Sequence, residues 1–219
     1  AQFFSNYGIL LNAGNQREEA LKAYDKSIEL DKEFADAYWN KSNTLWLMGR
    51  FEEAEKAARI ATEIKPEVAE AWLNLGTALA RLGRLQEAVE SWEKSLEISP
   101  EYSLAWNNIG NALRDMGNIK ESEEKCRKAL EYDANNPHAM NNLGNALIDQ
   151  GNIEESEKWY RKAISALPNY AEAHNNISIC LSYQLRYEEA LTSARYAVNF
   201  DPEYVAAYSN MSRILCALG

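Results

Sequence analysis

No run of about eighteen uninterrupted apolar residues occurs in this chain, so no segment reads as a helix long enough to cross a bilayer, and no membrane association is expected. Cysteine is scarce. The three present, Cys126, Cys180 and Cys216, are odd in number and match no CxxC spacing, which argues against a paired disulfide framework and against a zinc cluster. They read as reduced core thiols, the pattern of a cytoplasmic protein, although a cysteine-poor exported protein looks the same. Histidine is scarcer still, with only His138 and His174, and no HExxH, GxSxG, phosphate-binding loop or dinucleotide fingerprint accompanies them. The sequence therefore offers no catalytic constellation, calls for no metal or cofactor, and points away from an enzyme. Basic residues are outnumbered, 23 against 33 acidic, for a formal charge of −10. That balance repels a phosphate backbone, and no local basic cluster offsets it, so nucleic acid is not an expected partner. No signal-peptide pattern opens the sequence, and because it starts at Ala1 instead of a methionine, an excised or processed piece of a longer protein is expected.

What is present is periodic. Self-similarity recurs every 34 residues without an insertion, giving units 1–34, 35–68, 69–102, 103–136, 137–170 and 171–204 and a partial unit 205–219. Within each half-unit, apolar residues recur at helical spacing, as in Trp72, Leu75, Leu79 and Leu82, so each unit is expected to hold two amphipathic helices. Gly49, Gly83, Gly117 and Gly151 stand where the first helix should stop, since glycine accepts the left-handed conformation that ends a helix. Pro66, Pro100, Pro168 and Pro202 end the second helix by disfavouring helical geometry in the residue before them. Small residues mark the crossing of the two helices: Gly8, Gly76, Gly110 and Gly144 against Ala20, Ala54, Ala88, Ser122, Ser156 and Ala190. Some units depart from this. Serine replaces the crossing glycine at Ser42, Ser178 and Ser212, Leu185 replaces the stop glycine, and Gly14 lies one place early, which predicts looser end units.

The third unit shows Trp72, Leu75, Gly76, Leu79, Gly83, Ala88, Trp92, Ser95 and Pro100, and this pattern resembles the tetratricopeptide repeat. The resemblance covers the whole chain. It implies an all-α, right-handed α-solenoid, one array over residues 1–219, whose stacked hairpins form a superhelix with the first helices lining a concave groove. It further implies that the second, fifth, sixth, ninth, twelfth and thirteenth places of each unit face that groove.

The sixth place is asparagine in all seven units: Asn6, Asn40, Asn74, Asn108, Asn142, Asn176 and Asn210. An asparagine within a helix costs about 0.6 kcal/mol relative to alanine, so seven give up roughly 4 kcal/mol of intrinsic propensity that something must offset. A side-chain amide offers both a donor and an acceptor, the complement of a peptide unit, so a regular row of them is suited to holding an extended backbone. Asn43, Asn111 and Asn145, three residues further on, would widen the row. A similar ladder holds peptides in the superhelix of O-linked N-acetylglucosamine transferase and in peroxisomal import receptors. The alternative is structural: the amides descend from duplication of one unit and tie neighbouring helices together.

Trp39, Asn43 and Trp46 share one helical face and form a candidate anchoring pocket, against the alternative that both indoles pack on adjacent helices. Groove charges are mixed, Asp36, Glu70, Asp115, Asp149 and Glu172 against Arg81, Arg114 and Arg213, and the acidic excess favours a neutral to basic ligand. The carboxylate clamp of chaperone-tail binders needs lysine at the second and fifth places, and no lysine occurs at either place in any unit. His174 takes the slot of Trp72 and Trp106 and reads as a packed core residue; His138 faces the groove.

The expected function is a protein-interaction scaffold that binds an extended peptide or protein segment in the groove. Two alternatives accompany it. One is the substrate-recruiting arm of a larger enzyme such as a glycosyltransferase. The other is a scaffold that self-associates through the 205–219 end, where Met211, Ile214, Leu215 and Leu218 lack a covering helix.

Overall fold

The computed structural model describes residues 1–219 and is all helix and connecting turn. The helices are α1 (Gln2–Ala13), α2 (Arg17–Leu30), α3 (Ala35–Leu47), α4 (Phe51–Ile64), α5 (Ala69–Arg81), α6 (Leu85–Ile98) and α7 (Ser103–Asp115), followed by α8 (Ile119–Tyr132), α9 (Pro137–Asp149), α10 (Ile153–Ala166), α11 (Ala171–Tyr183), α12 (Tyr187–Phe200) and α13 (Val205–Leu218). Two helices fall within each complete 34-residue unit, and the architecture is an α-solenoid of helical hairpins. The chain divides into two compact units, Ala1–Ala112 and Leu113–Gly219.

Helices of 12 to 14 residues are marginal by themselves, so their persistence rests on packing and on how their ends are closed. First-helix ends share one device. The N–H of Arg50, Arg84, Asn118, Asn152, Gln16 and Arg186 each reaches back to the carbonyl of Leu45, Leu79, Leu113, Leu147, Leu11 and Leu181, at 2.8–3.0 Å. Such a closure needs one residue with positive φ just before the donor. Gly49, Gly83, Gly117 and Gly151 supply it, with φ of 76–87°. In the first hairpin Gly14 does not play that part. Its φ is −79°, and Asn15 is the left-handed residue, φ 60°, because asparagine tolerates that conformation. The stop in the first hairpin is therefore in register and not one place early. In the sixth hairpin Leu185 adopts φ 60°, so the same closure forms on a leucine.

Packing inside the hairpins follows a size rule. A Cβ added at Gly8, Gly76 or Gly144 would lie 2.5 Å from the ring of Tyr24, Trp92 or Tyr160 respectively, so the first helix is bare where the second carries a large aromatic. Hairpins with serine at the crossing hold Ala58 and Ala194 at the aromatic's place. The Ser42 hydroxyl then donates to the Ala54 carbonyl at 2.8 Å. In the first unit Ala20, Leu21, Tyr24, Leu45, Ala54, Ala57 and Ala78 form a buried cluster. In the second unit Tyr160, Ile177, Cys180, Leu181, Ala190, Leu191, Ala194 and Ile214 do so. Pro137 opens α9 at a position where a missing N–H costs nothing, and the Asn136 side chain caps the N–H groups of His138 and Ala139 at 3.1 Å.

Candidate functional site

The first-helix face carries the asparagines, and the structure assigns them unequal roles. In the first unit the Asn74 amide donates to the Trp39 carbonyl at 3.4 Å. In the second unit the Asn176 amide donates to Oδ1 of both Asn141 and Asn145, each at 3.0 Å, and the Asn210 amide donates to Oδ1 of Asn175 at 2.6 Å. Each of these three amides reaches the fifth-place residue of the hairpin before it. Asn141 and Asn175 are buried, so these bonds satisfy acceptors that water cannot reach. The tying role weighed from the sequence is thus present at Asn74, Asn176 and Asn210, and it spends their donors, while the Asn210 oxygen accepts from Arg213 at 3.5 Å. Asn6 accepts a hydrogen bond from Gln2 at 2.9 Å within α1. Asn40, Asn108 and Asn142 are half-buried, and Asn43 and Asn111 are exposed. Asn145 is only 7 % exposed, with Oδ1 shared between Asn176 and the Tyr160 hydroxyl at 2.8 Å, which places it beneath the face as a support.

The tryptophan pair divides in the same way. Trp46 packs against the first-unit core cluster and its Nε1 is buried without an acceptor, whereas Trp39 is half-buried outside that cluster and lends its carbonyl to Asn74. Three of the five acid groups, Asp36, Asp149 and Glu172, have partners. Asp36 meets Lys65 at 3.1 Å, Asp149 meets Arg114 at 2.6 Å, and Glu172 accepts from Asn141 at 3.0 Å and Tyr170 at 3.3 Å. Burial works against the Arg114 charge, but the Asp149 carboxylate outweighs it and raises its pKa. Arg81 lies over the Phe51 ring, 4.8 Å from its centroid.

In the second unit this face is hollowed. One cavity of about 190 Å³ is bordered by Arg114, Ile148, Asp149, Asn176, Ile179 and Tyr183, and another of about 370 Å³ by Ile179, Tyr183, Leu185, Tyr187, Asn210 and Arg213. They share Ile179 and Tyr183 and so adjoin. These apolar liners went unrecognised in the sequence, although Ile148, Ile179 and Tyr183 occupy the twelfth, ninth and thirteenth places; a search of those places for bulky residues would have found them.

His174 fills the tryptophan slot down to its hydrogen bond. Nε2 lies 2.9 Å from the Pro168 carbonyl, as Trp72 and Trp106 Nε1 donate to the Pro66 and Pro100 carbonyls at 2.8 Å. Because a carbonyl only accepts, Nε2 carries the proton. His138 is exposed, with Nδ1 3.0 Å from the Tyr170 hydroxyl. Burial, and next the Glu172 charge, push the Tyr170 pKa up. Burial likewise pushes the Cys126 thiol up to about 12, leaving it a protonated core group with no nucleophilic character. No helix is long and apolar enough to cross a membrane.

Stacked hairpins with a hollowed, amide-bearing first-helix face define a helical-repeat scaffold of the protein-interaction kind. The tetratricopeptide repeat profile matches residues 41–103 and 107–173, a second TPR profile matches residues 8–49, and the chain belongs to the tetratricopeptide repeat family. No protein of curated function matches it in sequence. Among solved structures it is similar to a chain of the APC/C hetero-tetramer Cut9–Hcn1, with TM-score 0.88 and 19 % identity over 97 % of this chain and 42 % of that one. YrrB, a TPR protein with an unusual peptide-binding site, matches with TM-score 0.63 and 24 % identity over 86 % and 97 % of the two chains. PilF of Pseudomonas aeruginosa matches with TM-score 0.82 and 16 % identity over 97 % and 96 %. At these identities the likeness is one of fold. The chain spans less than half of the Cut9–Hcn1 chain that it matches.

Proposed function

We propose that the chain is a non-catalytic scaffold that binds an extended polypeptide segment along its first-helix face. The observation that carries this reading is the pair of adjoining cavities in the second unit, flanked by Asn176 and Asn210. Both asparagines donate an amide hydrogen to the preceding hairpin and keep a carbonyl oxygen, approached at 3.5 Å by Arg213 in the case of Asn210, and a carbonyl oxygen with a lone pair to spare is the partner a peptide N–H requires. An extended strand rises about 3.3 Å per residue and offers such an N–H on the same side every second residue, so two amides on neighbouring helices meet peptide groups a few residues apart. The protein that shares this fold and is described by its peptide-binding site, YrrB, gives the reading a precedent within the family.

Selection of a phage-displayed library of random linear peptides on the immobilised protein tests this. Enriched peptides should shift the NMR signals of Asn176, Ile179, Tyr183 and Asn210 in a labelled sample. Failure to enrich any peptide, or shifts confined to the second helices of the hairpins, would overturn it.

A further inference from the structure

We infer that the cavity bordered by Ile179, Tyr183, Leu185 and Arg213 is a specificity pocket for a bulky apolar side chain followed closely by an acidic one in the bound segment. The inference rests on the peptide-binding reading above and adds the chemistry of the ligand. Three observations carry it.

The first is size and lining. About 370 Å³ between α11, α12 and α13 is room for an aromatic or large aliphatic side chain, and Ile179, Tyr183, Leu185 and Tyr187 form apolar walls around it. Tyr183 and Leu185 are 59 % and 73 % exposed, so covering them with a ligand removes apolar surface that is now in water.

The second is charge. The chain carries −10 overall, yet the only formally charged residue bordering this cavity is the cation Arg213. Its guanidinium touches the Asn210 amide oxygen at 3.5 Å and makes no ion pair, unlike Arg114, which is held by Asp149. An exposed, carboxylate-free guanidinium at the rim of an apolar pocket favours an acidic side chain beside the apolar anchor, because a planar fork matches a carboxylate in geometry as well as charge. The neutral-to-basic preference read from the groove charges Asp36, Glu70, Asp115, Asp149 and Glu172 therefore does not extend to this pocket: none of the five borders it, and Asp149 and Glu172 are engaged by Arg114, Asn141 and Tyr170.

The third is strain. Five hairpins place glycine or asparagine at the left-handed stop, and the sixth places Leu185 there at φ 60°. A β-carbon in that conformation is disfavoured, and the residue that bears it is a largely exposed wall of the cavity. The side chain is kept where the backbone would prefer none, which fits a contact residue.

Fluorescently labelled synthetic peptides test the inference. A serine–threonine host carrying an internal Phe-Glu pair is compared with Phe-Gln, Phe-Lys and Ala-Glu versions, and with a peptide whose only carboxylate is the C-terminus after Phe. Binding to the unmodified protein should weaken about tenfold for each single change and more for Phe-Lys. In Arg213→Gln the preference for Glu over Gln should vanish while the preference for Phe over Ala remains. In Leu185→Gly the Phe preference should shrink, and both variants should keep the parent's circular dichroism. Equal affinity for Phe-Glu and Phe-Gln, an Arg213→Gln protein that still discriminates them, or binding that needs the C-terminal carboxylate would each overturn the inference. If none of these peptides binds, the inference falls alone where the random library still yields ligands, and together with the peptide-binding reading where it does not.

Discussion

The side-chain amide of Asn210 sits 2.6 Å from Oδ1 of Asn175, thirty-five residues earlier and one hairpin back. Asn176 stands in the same relation to Asn141. A sixth-place asparagine thus gives up helix propensity and recovers it as a bond between hairpins, to an acceptor that would otherwise be buried unpaired.

That bond makes the sixth-place asparagines unequal in stability. Asn176→Ala leaves the fully buried Asn141 oxygen without its donor, at roughly 1–3 kcal/mol, against a propensity gain of about 0.6 kcal/mol. A net loss of about 1–2 kcal/mol is expected in urea unfolding. Asn108 makes no such bond, and Asn108→Ala should be neutral or stabilise by about 0.5 kcal/mol. Equal effects of the two substitutions would show that the tie contributes nothing.

Gly144 and Tyr160 should behave as one unit. A methyl at residue 144 would meet the Tyr160 ring at 2.5 Å, so Gly144→Ala should cost about 1–3 kcal/mol by overpacking despite alanine's better propensity. Tyr160→Ala leaves a cavity, at about 3–5 kcal/mol. The hairpins that pair Ser42 with Ala58 and Ser178 with Ala194 show that small can face small, so the double substitution should cost less than the sum. A double-mutant cycle with coupling near zero would contradict the size rule.

The repeat period made the helices, their stops and the glycine crossings legible, because each is a local demand that recurs along the chain. His174 was legible for the same reason: its neighbours in register, Trp72 and Trp106, announce a ring nitrogen donating to a proline carbonyl. Gly14 misled because a glycine beside a helix end draws notice, whereas the φ of 60° belongs to Asn15. Asn145 shares a helical face with Asn142, but angular position says nothing of depth, and only packing shows that Tyr160 claims its oxygen from below. The cavities were hidden for a similar reason. Ile179 and Tyr183 are ordinary apolar residues on a helix, and whether they meet a neighbour or open space is decided by the adjoining hairpin.

Leu185→Gly should stabilise the protein. Relief of left-handed strain is worth roughly 1–2 kcal/mol, partly offset by glycine's freedom in the unfolded chain, for a net gain of about 1 kcal/mol. The converse change, Gly151→Leu, places a side chain at φ 81° and should cost a similar amount. Thermal unfolding of the two variants provides the comparison, and a destabilised Leu185→Gly protein would mean that the leucine makes packing contacts larger than its strain.

Trp46 separates packing from binding within the proposed tryptophan pocket. Its ring lies on the first-unit core while its N–H is buried without an acceptor. Trp46→Phe keeps most of the apolar contact and removes the unpaired donor, so stability should change by less than about 1 kcal/mol, whereas Trp46→Ala should lose roughly 3 kcal/mol. Large loss in both would indicate that the indole N–H has a partner.

Glu157 gives the second unit its expected acid sensitivity. Its carboxylate is 13 % exposed and accepts from Gln184 at 2.7 Å, Arg161 at 2.7 Å and Arg186 at 2.9 Å, joining α10 to the turn before α12. Burial alone would raise its pKa, but the hydrogen bonds from Gln184, Arg161 and Arg186 prevail and lower it below the ordinary 4.5. A carboxyl group with a depressed folded-state pKa stabilises the fold above its unfolded value, and that contribution is lost as pH falls through the folded one. Stability measured in urea should therefore be flat near neutrality and decline below about pH 4.5. Glu157→Gln should cost about 1–2 kcal/mol at pH 7, and the gap from the parent should close in acid, where Glu157 is itself neutral. A gap that stays constant from pH 7 to about pH 3 would assign the loss to shape and not to charge.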